Sequence, residues 1–197
     1  IKFQPQWVLV LFRLILKTLL KVKTTTKLGK IPIMAWSIHT VSKFKKTAMG
    51  VFPSVNSAMN AVYKTMAAGV TPVAMEFLDS LSIKAVEQKF NKGLPTDAGA
   101  ILISDVDGPN LDVIDGDLAI IKDCFMQNGA IDFKVAKDEQ ESADIWFARR
   151  NCSQAITMYG SLKLNEDITV PRSKLPELLD KIAQISAKYD VVTPCFG

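Results

Sequence analysis

A domain of mixed helix and strand is predicted for this chain of 197 residues on three observations. From Thr47 onward, short β-rich runs alternate with longer stretches whose apolar residues recur at helical spacing. Ser54, Gly69, Pro109, Gly129 and Pro171 stand at changeovers between such runs, where caps and breakers belong. No strand run is followed by a Gly-rich phosphate loop, because Gly93, Gly99 and Gly108 fall as punctuation and not as GxGxxG or GxxxxGK.

Thr47 to Phe52 reads as the first strand. Ser54 can cap the helix that follows, in which Val55, Met59, Val62 and Met66 form one face, and Gly69 ends it. Pro72 to Phe77 is a second strand, Ser80 to Phe90 a helix, and Asn91 to Gly99, with two Gly and one Pro, a loop. Ala100 to Val106, apolar and β-rich, is the clearest strand. Asp107 to Asn110 turns the chain into a helix from about Leu111 to Asn128, with Gly116 inside it and Gly129 as its stop. Ile131 to Ala136 alternates as a strand should, and Asp138 to Ala155 is helical. Leu162 to Val170 reads as a strand region, since Pro171 biases Val170 toward extended backbone. Ser173 can cap the last helix, where Leu175, Leu178, Leu179, Ile182 and Ile185 make an apolar stripe, and Val191 to Thr193 is a final short strand.

Helices alternating with strands normally suggest a parallel, doubly wound sheet. An antiparallel sheet covered by helices, in the ferredoxin-like α+β manner, fits equally well. There is no internal repeat and no low-complexity tract.

The net charge of +4 hides an asymmetry. Residues 1–75 hold eleven Lys or Arg and no acid; residues 76–197 hold thirteen basic and twenty acidic residues. Within residues 1–46, apolar runs are broken by Arg13, Lys17, Lys21 and Lys23. A transmembrane helix would need about 20 mostly apolar residues, and Trp7 to Leu20 is too short and carries charge. A basic amphipathic helix, with Lys17 and Lys21 on one face, would suit an anionic lipid surface. The third reading, a segment not native to the fold such as translation from a shifted frame would give, accounts for the lack of both acids and motifs. No secretory signal is evident, and no nucleic-acid partner is expected. Cys124, Cys152 and Cys195 are odd in number and form no CxxC pair, which points to a reducing, cytoplasmic setting. Peripheral attachment at the inner membrane face is the variant that the basic segment allows. With His39 as the sole histidine, no metal site is expected from this chain.

Arg149 and Ser153 are the best candidates for chemistry. Four residues apart on a helix they share a face, and a guanidinium and a hydroxyl there could converge on one small anion. Spacing alone favours a plainer outcome, in which Arg149 pairs with Asp144 or Glu141 on a solvated face. Arg150 falls on a different face and reads as a surface residue. Arg172 sits at a strand-to-helix junction and either helps place a ligand or satisfies a nearby carbonyl or acid. Glu166 and Asp167, adjacent on a strand, would point to opposite faces and so cannot act together. Asp105, Asp107, Asp112, Asp115 and Asp117 lack the order of a calcium loop and read as a solvated turn. Trp146 reads as core. No catalytic residue is assigned.

Four segments in order, "GVTPVAMEFLDSLSIKAVEQ" from Gly69, "GLPTDAGAILISDVDG" from Gly93, "ADIWFARRNCSQAI" from Ala143 and "EDITVPRSKLPELL" from Glu166, resemble the C-terminal domain of the FAD-linked 2-hydroxyacid dehydrogenases. That family includes the D subunit of bacterial glycolate oxidase and FAD-dependent D-lactate dehydrogenases. The resemblance covers roughly residues 45 to 197, and favours the antiparallel α+β architecture over residues 47–197. It implies oxidation of glycolate or a D-2-hydroxyacid to the 2-oxoacid by hydride transfer to FAD, with Arg149 gripping the substrate carboxylate, Ser153 beside it and Arg172 near cofactor or substrate. It also implies that FAD is held mainly by a domain absent from this chain. A His-Ala-Gly-Asp-Gly-Asn-like segment, expected after the Phe196-Gly197 pair with the histidines and any divalent metal, is absent too. The expectation is therefore a truncated substrate-side domain, inactive alone, whose partners are the small hydroxyacid, the FAD domain and other glycolate oxidase subunits. The rival expectation is a stand-alone α+β interaction module whose basic N-terminus docks on a membrane or an acidic partner.

Overall fold

The computed structural model describes residues 42, 44–160 and 162–197. The transmembrane, amphipathic-helix and shifted-frame readings of residues 1–46 fall almost entirely on residues 1–41, which lie outside the described residues.

Strand β1 (Phe44–Phe52) begins three residues before the expected Thr47. Helix α1 (Val55–Ala67) starts where Ser54 Oγ accepts the Ser57 N–H at 3.1 Å. Strand β2 (Ala74–Asp79) leads directly into α2 (Ser80–Phe90), and β3 (Ala100–Gly108) into α3 (Leu111–Gln127). The Asn110 side chain caps α3 by accepting the Val113 N–H at 2.9 Å, and the helix passes Gly116 unbroken. Strand β4 (Asp132–Val135), α4 (Glu139–Ala155) and α5 (Leu175–Tyr189) complete the order, with short 3-10 turns at Ile156–Tyr159 and Arg172–Lys174.

The sheet runs β2-β3-β1-β4, and every neighbouring pair is antiparallel. This settles the choice left open by the alternation: the domain is α+β. Helices cover both faces. Alternate residues of β3 point opposite ways, so Ala100, Leu102 and Val106 pack with α1 and α3, whereas Ile101 and Ile103 pack with α2 and α4. A strand buried on both sides needs no polar face, which is why Ala100 to Ile103 of β3 are apolar without alternation. Under α3, Phe125 meets Phe52 and Phe133 edge-to-face at 5.3 and 5.7 Å between ring centroids. Gly50 makes room for that cluster, because a Cβ there would lie 2.4 Å from the Phe125 ring.

Three local expectations are corrected. Leu162 to Val170 is not a strand: its described residues have irregular backbone, and Leu162, Leu164 and Ile168 are exposed. The segment pairs with neither edge strand of the sheet, and the outer edge of β2 is taken by the chain's last residues. There Leu78 and Phe196 form an antiparallel bridge, and Gly197 exchanges both backbone hydrogen bonds with Phe77, at 2.7 and 3.1 Å. Val191 to Thr193 is likewise not the final strand. Asp190 ends α5 in the left-handed conformation, the Val191 N–H returns to Ser186 O at 3.1 Å, and the bridge forms further on at Phe196. Ser173 does not cap α5. The Lys174 N–H donates to Pro171 O at 2.7 Å, closing a 3-10 turn around Ser173, so the helix starts after it with Pro176 in its first turn.

Candidate functional site

Helix α4 places the candidate residues. Asp138 caps it, its Oδ1 accepting the Glu141 N–H at 2.8 Å. Ile145, Ala148, Cys152 and Ala155, three or four residues apart, are buried against β1, β2 and α2. Arg149 lies at the border of that buried stripe, next to the edge strand β2; Arg150 and Ser153 point to solvent.

Arg149 is bonded neither to Asp144 nor to Glu141. Its Nε donates to Glu76 Oε2 of β2, with both side chains about a quarter to a third exposed. Its guanidinium carbon stands 5.0 Å from the centre of the Phe196 ring. Asp144 instead comes within 3.9 Å of Lys92 Nζ, and Glu141 pairs with Lys134 while accepting the Lys137 N–H at 2.7 Å. The Arg149 Nη atoms make no hydrogen bond among the described residues. Ser153 lies one turn further along α4 with a different partner, Lys163, whose Nζ is 2.6 Å from both its carbonyl oxygen and its Oγ.

The site thus contains three residues that sequence reasoning passed over: Glu76, Phe196 and Lys163. Glu76 carried a signal, since it is the one charged residue in the predicted strand Pro72 to Phe77. Arg172 is exposed and lines a shallow hollow with Asn60, Tyr63, Ser173 and Pro176, beside α1, whereas α4 packs on the other face of the sheet. Glu166 and Asp167 sit in the exposed irregular segment. Asp105 corrects the solvated-turn reading of the acidic run. It is buried on β3, where its carboxylate accepts from Thr47 Oγ1 at 2.6 Å, Lys45 Nζ at 2.8 Å and Trp146 Nε1 at 2.9 Å. Trp146 is half-buried against the core, as a core residue with a satisfied N–H should be.

Near α4 the thiols are quiet. Burial raises the Cys152 thiol above its ordinary range and pushes Cys195 up to about 11, where the Asp79 charge adds to the effect. Both stay protonated at neutral pH, so neither is a poised nucleophile. No group of three or more His, Cys, Asp or Glu suited to a metal occurs among the described residues.

Arg149 is thus held at the edge of an antiparallel sheet by Glu76 and Phe196, and Ser153 with Lys163 forms a separate pair one turn further along α4. Residues 41–197 match the family described as FAD linked oxidases, C-terminal domain, and the chain belongs to that family. Among its relatives are the glycolate oxidase subunit GlcD of Escherichia coli (strain K12), 36% identical over 146 residues, and that of Bacillus subtilis (strain 168), 31% identical over 153 residues. The first alignment covers 74% of this chain and 29% of the relative, the second 78% and 32%. A probable mitochondrial D-lactate dehydrogenase of Danio rerio is 27% identical over 168 residues, 84% of this chain and 32% of the relative. The chain therefore spans about a third of the length of these curated relatives. A solved alkyldihydroxyacetonephosphate synthase shares the fold at 18% identity and a TM-score of 0.53, over 76% of this chain and 32% of that one.

The family implies FAD, and among the described helices none is opened by a Gly-rich turn; α5 is the one that starts without a side-chain cap. A pyrophosphate is bound where a Gly-rich turn opens a helix. Here the N-termini of α1, α2, α3 and α4 are filled by their own caps, Ser54, Asp79, Asn110 and Asp138, two of which are carboxylates.

Proposed function

We propose that this chain is the substrate-side part of a flavin-dependent 2-hydroxyacid dehydrogenase that oxidises glycolate or a D-2-hydroxyacid to the 2-oxoacid. Arg149 binds the substrate carboxylate, Ser153 lies alongside, and FAD is held mainly by residues outside those described. The observation that carries the proposal is the state of Arg149: fixed through Nε and one ring face, half-buried, with its Nη donors unspent. A planar guanidinium in that state offers a carboxylate two parallel hydrogen bonds, and partial burial makes the charge more effective than on an open surface. Lys163 adds a second positive charge beside Ser153. The names of the relatives, glycolate oxidase subunit and D-lactate dehydrogenase, agree with a short hydroxyacid.

Alone, the chain is proposed to bind without turning over. The described residues include no histidine, the nearby thiols are held protonated by burial, and the one carboxylate on Arg149, Glu76, is engaged by its Nε, so no free proton acceptor stands beside Arg149 among the described residues. The remaining partners proposed are the flavin-bearing part of the enzyme and other glycolate oxidase subunits. Arg172, exposed beside α1, is proposed to face that flavin-bearing part. No described helix is long and apolar enough to cross a membrane.

Titration of the 197-residue chain with glycolate and D-lactate, followed by calorimetry or amide chemical shifts, tests the proposal. Saturable binding that falls about tenfold or more in Arg149→Ala, consistent with loss of a charge-assisted pair, is the expected result. Equal binding by parent and R149A would sink it.

A further inference from the structure

We infer that Glu76 and Phe196 are positioning residues for Arg149, an inference that rests on the carboxylate reading proposed above. A guanidinium on a flexible stem is a poor anchor unless its plane is set before the ligand arrives. Two contacts set it here. Glu76 takes the Nε edge from a strand whose register is fixed, since Glu76 lies opposite Ile103 of β3. Phe196 stands 5.0 Å from the guanidinium carbon, close enough for its ring to attract the cation. Phe196 is itself held in place, because its neighbours Cys195 and Gly197 are hydrogen-bonded to Asp79 and Phe77. With the Nε edge and one side of the plane engaged, the Nη end is the part left for an incoming carboxylate, which the geometry directs to approach end-on.

The opposite role for Glu76, a counter-ion that the substrate must outcompete, makes contrary predictions. Under positioning, Glu76→Gln keeps an oxygen to accept the Nε–H and should hold glycolate affinity within about threefold, whereas Glu76→Ala should lose about tenfold. Phe196→Leu, which keeps apolar bulk but no ring face, should lose roughly threefold. The Arg149 Nε–H resonance in ¹⁵N spectra of the unliganded chain is the second readout. It should be slow to exchange in parent and E76Q and fast in E76A, whether or not ligand is present.

Those results together establish positioning. Glycolate affinity in E76A and E76Q equal to or tighter than in the parent would overturn it while leaving the carboxylate reading intact. A parent chain that binds neither glycolate nor D-lactate would overturn the carboxylate reading, and this inference with it. Should E76A fail to fold, E76Q and F196L decide: unchanged affinity in F196L together with tightened affinity in E76Q overturns positioning.

Discussion

The carboxylate of Asp79 joins two distant parts of the chain: its Oδ1 accepts the Ser82 N–H at 2.8 Å, capping α2, while its Oδ2 accepts the Cys195 N–H, also at 2.8 Å. One buried side chain thus starts a helix and pins the segment that carries Phe196. Asp79→Ala removes both acceptors and should cost about 2–4 kcal/mol in urea unfolding; Asp79→Asn, which keeps one oxygen, about 1–2 kcal/mol. Hydrogen exchange at Phe77 and Gly197 should accelerate in both variants, because their mutual backbone bonds depend on the pinned segment.

The pH dependence of the same residue has a definite sign. Burial raises the Asp79 carboxyl above its ordinary 3.8, outweighing the hydrogen bonds from Ser82 and Cys195 that pull it down. The folded state then holds the proton to higher pH than the unfolded one. Its contribution is full below 3.8 and lost as pH rises through the folded value. The stability gap between the parent and D79N should therefore be wider at about pH 4 than at about pH 7. A gap that narrows toward acid would contradict it.

Glu87 should behave in the opposite sense. Its carboxylate accepts the N–H groups of Leu94, Gly93 and Lys92 at 2.8, 3.1 and 2.9 Å, holding the loop after α2, where Gly93 has a φ of +73°. The Leu94 bond first, with Gly93 and Lys92 adding to it, holds the carboxyl below its ordinary 4.5. Its contribution is present above 4.5 and lost as pH falls through the folded value. In Glu87→Gln the three amides should exchange faster at neutral pH, and the difference from the parent should vanish in acid.

Asp105 ties α4 to the sheet. Thr47, Lys45 and Trp146 all donate to it, and the Thr47 hydroxyl lies 2.6 Å from that of Ser142. Asp105→Ala takes the acceptor from the buried Thr47 hydroxyl and the half-buried Trp146 N–H, while the half-exposed Lys45 turns to water, and should cost about 2–4 kcal/mol. In a W7F/W36F background the remaining Trp146 fluorescence should shift to the red, as its ring loses its anchor. Full stability in D105A would show that the network carries no weight.

Much of the fold was legible because each element carries its own local instructions. Ser54 before an apolar helical stripe and the apolar run Ala100 to Ile103 mark their structures without reference to anything distant. Leu162 to Val170 failed for the complementary reason. Its pattern permits a strand, but a strand forms only where tertiary packing brings it to a partner edge, and this segment meets none: Cys195 to Gly197 line β2, and no strand among the described residues joins the outer edge of β4. Asp105 was misread as solvated because an aspartate in a β-rich run shows nothing of donors that arrive from β1 and α4.

At the site, helical periodicity by itself puts Arg149 and Ser153 on one side of α4. The acid that would claim Arg149 could not be read the same way. Local spacing offered Asp144 and Glu141, yet chain folding brought Glu76, 73 residues away, along with Phe196 from the far end of the chain. Backbone preferences and apolar periodicity act over a few residues, and they gave this chain its helices, most of its strands and the face on which its arginine stands. Which groups meet that arginine depends on sheet order and strand register. Those are set by the joint burial of all the elements, and no short stretch of sequence contains them.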